Sequence, residues 1–356
     1  MHSHPPMDSL PKIIKSIPRH CLRSNTWLSF GYLLRDLFLS VLLVGLILST
    51  RLTVLAIPLS VLLGIVLTGL FVVGHDAGHR SFSPSLWINN MVGEVLSAIL
   101  VWPFHVWRLS HDTHHRYTHH ISKEIAWRPF SRTKVSRLSP SSRMMYLWTR
   151  TWAYFIGSIF FAIYFVRDGL RGLKSRHFRS EDLSQIYFSI AFTSVVTLAM
   201  VLSAWYAAGW YGLIFLVVIP QLTFQFWMST FTFFHHTNPD SPFMEEGTWD
   251  PAKAQLGSTI HMRYPAWIDW LTHDISWHVP HHVCVGVPHY HLREAHKALK
   301  EAYPEIVREE RFCWSYVLKV ISTCQIAGDS QKGYVSWERY NISAVSYTHL
   351  TLPTIL

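Results

Sequence analysis

The chain has 356 residues, of which 49% are hydrophobic and 15% aromatic, with a mean hydropathy of +0.17. Only 15% is charged, against about 25% in an average soluble domain. This argues against a pair of soluble domains and for an integral membrane protein with aromatic belts. The net charge is +9, but no soluble basic module stands out, so nucleic acid is not an expected partner. Lys and Arg facing anionic lipid account for the excess, and the same surface can dock an acidic redox partner. Cys21, Cys284, Cys313 and Cys324 show no CxxC spacing, which fits a reducing compartment.

Residues 1–35 are polar and broken by Pro5, Pro6, Pro11 and Pro18, and they lack a signal-peptide pattern. They read as a cytoplasmic N-terminal segment. Four apolar stretches follow, at 37–50, 52–74, 186–208 and 211–234. A span needs about 20 apolar residues, so the first is short. Arg51 separates the first two, and Gly209-Trp210 turns between the last two. Two further stretches are too interrupted for spans. Residues 87–102 contain Asn89, Asn90 and Glu94, and 151–166 lie between Arg150 and Arg167. Both read as interfacial or re-entrant helices.

The region between the second and third spans carries Arg108, Arg116, Lys123, Arg128, Lys134, Arg143, Arg171 and Lys174. By the positive-inside rule, this connection and both termini face the cytoplasm. The expected architecture is an all-α integral membrane protein. It has about four transmembrane helices, interfacial helices, and a cytoplasmic helical cap holding a di-metal site. Residues 36–342 form one unit. The tail, 343–356, follows no pattern and reads as a non-native end. The triplet Asn341-Ile-Ser343 would face the cytoplasm and reads as chance.

Three clusters carry the chemistry: His75-Asp-Ala-Gly-His79, His111-Asp-Thr-His114-His115 and His278-Val-Pro-His281-His282. On a helix, positions i, i+3 and i+4 share a face. Each cluster can therefore aim two or three imidazoles at one point, and the topology puts all three on one side of the membrane. Nitrogen-rich ligation without cysteine argues against structural zinc or an iron–sulfur centre and suits iron, copper, nickel or zinc. One hydrolytic zinc needs about three protein ligands, whereas eight histidines fit two ions. Two redox-active irons could use O₂ to attack an unactivated C–H bond. Isolated His177, His261 and His296 read as hydrogen-bonded core residues.

Gly74-His-Asp-Ala-Gly-His-Arg-Ser-Phe-Ser83, Trp107-Arg-Leu-Ser-His-Asp-Thr-His-His-Arg-Tyr-Thr-His119 and His273-Asp-Ile-Ser-Trp-His-Val-Pro-His-His282 resemble the three histidine boxes of membrane fatty-acid desaturases. The resemblance runs from about Ile17 to about Tyr303. Its further stretches are Pro103-Phe104-His105, Ala126-Trp127-Arg128-Pro129, Phe231-Thr-Phe-Phe-His-His-Thr-Asn-Pro239 and Val287-Pro-His-Tyr-His-Leu-Arg-Glu-Ala-His296. The fuller set is similar to cyanobacterial and plastid-type acyl-lipid desaturases acting at Δ12 (ω6).

That resemblance implies an O₂-dependent enzyme with two iron ions, drawing two electrons per turnover. It would place a cis double bond in a chain carried by a membrane glycerolipid. It makes His75, His79, His111, His114, His115, His278, His281 and His282 the iron ligands. The family's additional ligand near the end of the last span falls on His235 or His236, and the His-Thr-x-Pro pattern favours His236. Asp76, Asp112 and His273 are candidates for orienting ligand imidazoles. Gly78 fits close packing. Trp102, Trp107, Trp227, Phe231 and Trp277 flank the expected site and can line an acyl tunnel. No segment resembles a fused cytochrome b5 or a nucleotide-binding loop. The expected electron donor is therefore a separate acidic carrier, ferredoxin rather than cytochrome b5. The membrane would be cyanobacterial plasma or thylakoid, or a similar bacterial one. A membrane hydroxylase or carotenoid ketolase built on similar boxes is the alternative. A His-rich cation transporter is more remote, because its ligands would sit inside the spans.

Overall fold

The computed structural model describes residues 7–50, 53–241, 243–328 and 333–340. The Arg51 turn, the 341–343 triplet and the 343–356 tail lie outside these residues. The short helix α1 (Leu10–Ile14) and a turn at Arg19–Leu22 precede the first long helix, α2 (Thr26–Thr50). α2 starts eleven residues before the expected 37. The side chain of Asn25 accepts from Leu28 N at 3.1 Å, capping the helix. Arg35 and Asp36, which look like a span boundary, are paired inside the helix instead. Asp36 takes Arg35 Nη2 at 2.8 Å and His273 Nε2 at 2.5 Å.

α3 (Thr53–Gly78) returns and runs past the expected end at 74, carrying His75 on its last turns. It is the central helix. Of its apolar window, 72% is buried within the protein, against 22% for α2, so α2 gives most of its surface to lipid. Close approach to the last span depends on Gly64, where a Cβ would stand 2.5 Å from Thr223 Cβ and 2.6 Å from Pro220 O. Small residues serve helix packing in membranes in this way.

α4 (Leu86–Ile99) and α5 (Phe104–Arg116) meet at 105° across Pro103. The short helix α6 (Arg132–Ser136) follows. α7 (Pro140–Thr149) meets a bent unit ending in α8 (Gly157–Gly169) at 92°. These sharp bends suit re-entrant or interfacial helices better than straight spans.

The last apolar region, Ser180–His236, is 57 residues long. One straight helix of that length would reach about 85 Å, nearly three times a hydrocarbon core of about 30 Å. The chain instead breaks at Ala208 (φ −155°, ψ 20°) and Gly209 (φ 58°, ψ −136°). That break falls within α9 (Leu183–Gly212), near its end, and a π-helical turn (Leu213–Val218) and α10 (Ile219–His236) follow. Glycine adopts the positive φ without steric cost. Four long apolar limbs result. The end of α2 lies beside the Gly209 break, since Tyr211 OH donates to Ile47 O at 2.9 Å. The opposite ends of the limbs therefore gather under the cap.

The cap holds α11 (Ala266–Leu271), α12 (His278–Val283), α13 (Leu292–Ala302) and α14 (Trp314–Thr323). It also contains short strands, which a wholly helical expectation omits. β1 (Ile260–Arg263) pairs in parallel with β2 (Arg308–Arg311), and β3 (Ile326–Ala327) pairs antiparallel with β4 (Tyr334–Val335).

Candidate metal centre

Three helices bring the boxes together. α3 supplies His75, and the helical turn continues one step further, His79 N donating to His75 O at 3.1 Å. α5 presents His111, His114 and His115, and α12 presents His278, His281 and His282. Ligand atoms of His75, His79, His111, His115 and His281 all lie within 4.8 Å of one another. Within this group the Nε2–Nε2 separations are 3.0 Å for His75–His111, 3.1 Å for His111–His115 and 3.0 Å for His115–His281.

A second group joins His114, His236 and His282, again within 4.8 Å. His278 Nε2 lies 3.0 Å from His236 Nε2. The nine histidines thus form a group of five and a group of three with His278 beside it, and each group draws on more than one box. His235 does not enter either group. Its ring stacks on Phe231, 5.6 Å between centroids.

These residues fit metal ions. His79 Nε2 and His282 Nε2 are buried without a hydrogen-bond partner, an arrangement that costs free energy unless a cation is bound. Burial holds His278, His281 and His282 well below the ordinary imidazole range, so each stays neutral with a lone pair to offer. Five imidazoles with ligand atoms within 4.8 Å of one another could not all be protonated without strong repulsion.

The supporting hydrogen bonds were only partly expected. Glu124, buried in the loop after α5, accepts from His114 Nδ1 at 2.9 and 3.0 Å. Gln255 Oε1 accepts from His282 Nδ1 at 2.9 Å, while its amide nitrogen donates to His115 O. Such bonds fix the tautomer and aim Nε2 into the group. The sequence reasoning missed both residues. The only signal for Glu124 was a single acid in a histidine-rich, basic stretch.

Asp76 does not bind a box histidine. Its Oδ2 accepts from His289, through Nδ1 at 2.8 Å and the backbone N at 2.9 Å, while His75 Nδ1 is 4.0 Å from its other oxygen. The Asp112 side chain is 42% exposed and meets Arg108 Nη1 at 3.4 Å. It sits on the outer face of α5, which corrects its candidacy for orienting an imidazole. His273 is committed to Asp36 and reaches the centre only indirectly, its ring lying against His289 at 4.6 Å. Gly78 does serve close packing, since a Cβ there would come within 2.7 Å of Trp107. His261 and His296 are hydrogen-bonded core residues, through Ser276 O at 3.0 Å and Glu309 at 2.8 Å. His177 bonds Asp168 at 3.1 Å.

A cavity of about 540 Å³ borders both groups, touching His75, His111, His114, His236 and His278. Trp102, Trp107 and Phe231 are among its apolar lining. Trp227 and Trp277 are not, contrary to expectation. Trp277 stacks on His261 at 3.7 Å and Trp227 packs on Phe231 at 5.3 Å.

Comparison with known proteins agrees with this geometry. A sequence model of the fatty acid desaturase family matches residues 52–314. The sn-1 oleoyl-lipid 12-desaturase of Synechocystis sp. is 36% identical over 91% of this chain and 90% of its own. That of Picosynechococcus sp. is 35% identical over 80% of each. The chloroplastic omega-6 fatty acid desaturase of Spinacia oleracea is 32% identical over 92% of this chain and 71% of its own. The apolar limbs, the paired imidazole groups and these relatives lead to one conclusion: the chain belongs to the fatty acid desaturase family.

Proposed function

We propose that this membrane desaturase inserts a cis double bond at Δ12 of an oleoyl chain carried by a glycerolipid, giving a linoleoyl chain. The observation that carries the reading is the pair of imidazole groups bordering an apolar cavity. An alkyl chain has no polar handle near its middle carbons, so the site must select by shape. A cavity of about 540 Å³ lies within the range of small-molecule sites, roughly 300–1,000 Å³. Names borne by relatives at 35–36% identity support the regiochemistry.

Two iron ions fit the nine nitrogens. His75, His79, His111, His115 and His281 would hold one, and His114, His236, His278 and His282 the other. When bound, the irons supply O₂ activation: two electrons, two protons and O₂ are consumed as two hydrogens leave a CH₂–CH₂ pair, giving a double bond and two waters. The chain's own residues do the positioning. Glu124 and Gln255 fix the outer nitrogens of His114 and His282. Phe71, Trp102 and Trp107 pack against one another beside His75 and keep water from it. Asp76, held by His289, ties the end of α3 to the turn before α13.

The donor is a separate one-electron carrier with an acidic surface, and ferredoxin fits this better than cytochrome b5. Exposed Lys123, Lys134, Arg137, Arg171, Lys174 and Arg176 give such a carrier a cationic landing area. The same cations favour a cytoplasmic position for the cap.

Expression in a host rich in oleoyl lipids, followed by analysis of fatty-acid methyl esters, tests the proposal. Linoleate is the expected product. A new double bond at another position would overturn the regiochemistry, and a product heavier by one oxygen would make the enzyme a hydroxylase. Reconstitution with reduced ferredoxin should support turnover, and turnover with cytochrome b5 alone would refute the donor assignment.

A further inference from the structure

A second group of metal-ligating side chains lies outside the desaturase centre. His20 and Cys21 belong to the turn Arg19–Leu22, and His291 and Glu294 stand at the beginning of α13. Their ligand atoms all lie within 4.8 Å of one another. Cys21 is fully buried, while His20 and Glu294 are exposed. The thiol is thus anchored at the base of the group, and solvent reaches its mouth.

We propose that His20, Cys21, His291 and Glu294 form a binding site for a zinc ion that fastens the N-terminal segment to α13. The donor set of one sulfur, two imidazole nitrogens and one carboxylate is drawn from zinc's preferred ligands. The geometry is close to what a tetrahedral ion needs. Zn–S near 2.3 Å and Zn–N near 2.0–2.1 Å imply an S···N edge of about 3.5–3.6 Å, and Cys21 Sγ lies 3.5 Å from His20 Nε2. His20 Nε2 and Glu294 Oε1 are 2.9 Å apart, as an ion pair. They would open by about half an ångström around the ion, an easy move for two exposed side chains. The bound ion takes the thiol as thiolate and releases its proton to solvent.

The site has a structural consequence. The two segments are already in contact, Asn25 N donating to Tyr290 OH at 2.7 Å and Tyr303 OH to Asp8 at 3.1 Å. His289, the residue that holds Asp76 beside His75, shares its turn with His291. A zinc ion on His291 would lock that turn in place. This inference does not depend on the desaturation reading, because none of its ligands belongs to the imidazole groups.

Cobalt(II) is the probe, added to the full chain purified in detergent micelles and stripped of metal. The histidine groups contain no thiolate, so cobalt bound there gives no thiolate-to-cobalt charge-transfer band. A near-ultraviolet band with the intensity of one thiolate-bound cobalt per chain, which disappears on zinc addition, is expected. It should be absent in Cys21→Ser and retained in Cys284→Ser. Cys21 is buried, so His20→Ala and Glu294→Gln provide variants with an undisturbed interior. Each should weaken the band's apparent affinity by at least about tenfold, the lower limit for losing even an outer partner of a ligand. Cobalt binding without the band, a band that survives Cys21→Ser, or unchanged affinity in His20→Ala and Glu294→Gln would each overturn the proposal.

Discussion

Glu124→Gln tests whether the buried carboxylate behind His114 sustains the second metal group. The carboxylate accepts four donors: His114 Nδ1 through both oxygens, His119 N at 3.1 Å, Ile125 N at 2.7 Å and Ala126 N at 2.9 Å. Glutamine matches its volume but carries one acceptor and one donor end. Either placement of the amide points N–H groups at a backbone N–H. A hydrogen bond to a charged group contributes about 1.5–3 kcal/mol, so the variant should lose about 2–4 kcal/mol of stability. His114 also loses the anion that fixes its tautomer, which costs about ten- to a hundredfold in metal affinity. The assay is iron per chain during chelator competition on protein in micelles, with circular dichroism as the check on folding. One iron should leave at a chelator concentration about ten to a hundred times lower than in the parent, while the five-histidine group keeps its ion. Two irons held as tightly as before, with unchanged turnover, would refute the reasoning. Asp112→Asn is the contrasting control. Its carboxylate is partly exposed and meets Arg108 on the outer face of α5, so stability should change by less than about 1 kcal/mol and iron content should not change.

Other perturbations probe other parts of the argument. His236→Ala should lower iron to about one per chain and abolish desaturation while leaving membrane insertion intact; retention of both ions would remove His236 from the centre. Gly64→Leu places a side chain where a Cβ already meets Thr223 and Pro220, so thermal unfolding in detergent should show a loss of about 1–3 kcal/mol. A variant as stable as the parent would show that α3 and α10 do not need that contact. Burial pushes the Asp269 carboxyl up to about 6, so the folded state favours its protonated form. Stability should then fall as pH rises from about 4 to about 6 and level off above. Asp269→Asn keeps the acceptor for Ser276 Oγ and should flatten that slope. A slope that persists in the variant would assign the pH dependence to other groups.

The histidines that gather at the centre could be read from the sequence because each box is one helical turn, and helical spacing states directly which side chains share a face. The His-Thr-x-Pro pattern of the resemblance prefers His236 to its neighbour, and the helix then sends the two rings apart, since adjacent helical residues point about 100° apart. His236 reaches His278 and His235 turns to Phe231. What the sequence could not show is what lies behind those histidines. Glu124, Gln255 and His289 meet their partners across separations of 10, 27 and 213 residues, and no periodicity connects such pairs. Arg35-Asp36 looked like the edge of a span because a charge pair ordinarily ends one. Asp36 stays inside because Arg35 pairs with one of its oxygens and His273 arrives from 237 residues away to hydrogen-bond the other. The two His-Asp dipeptides make the same point most plainly. Asp76 and Asp112 hold identical positions in their boxes. One lies at the enclosed end of α3 against His289, and the other faces outward on α5 against Arg108. Local sequence fixes which way an imbedded imidazole points, but only the packing of distant elements decides whether the carboxylate beside it has a partner to orient.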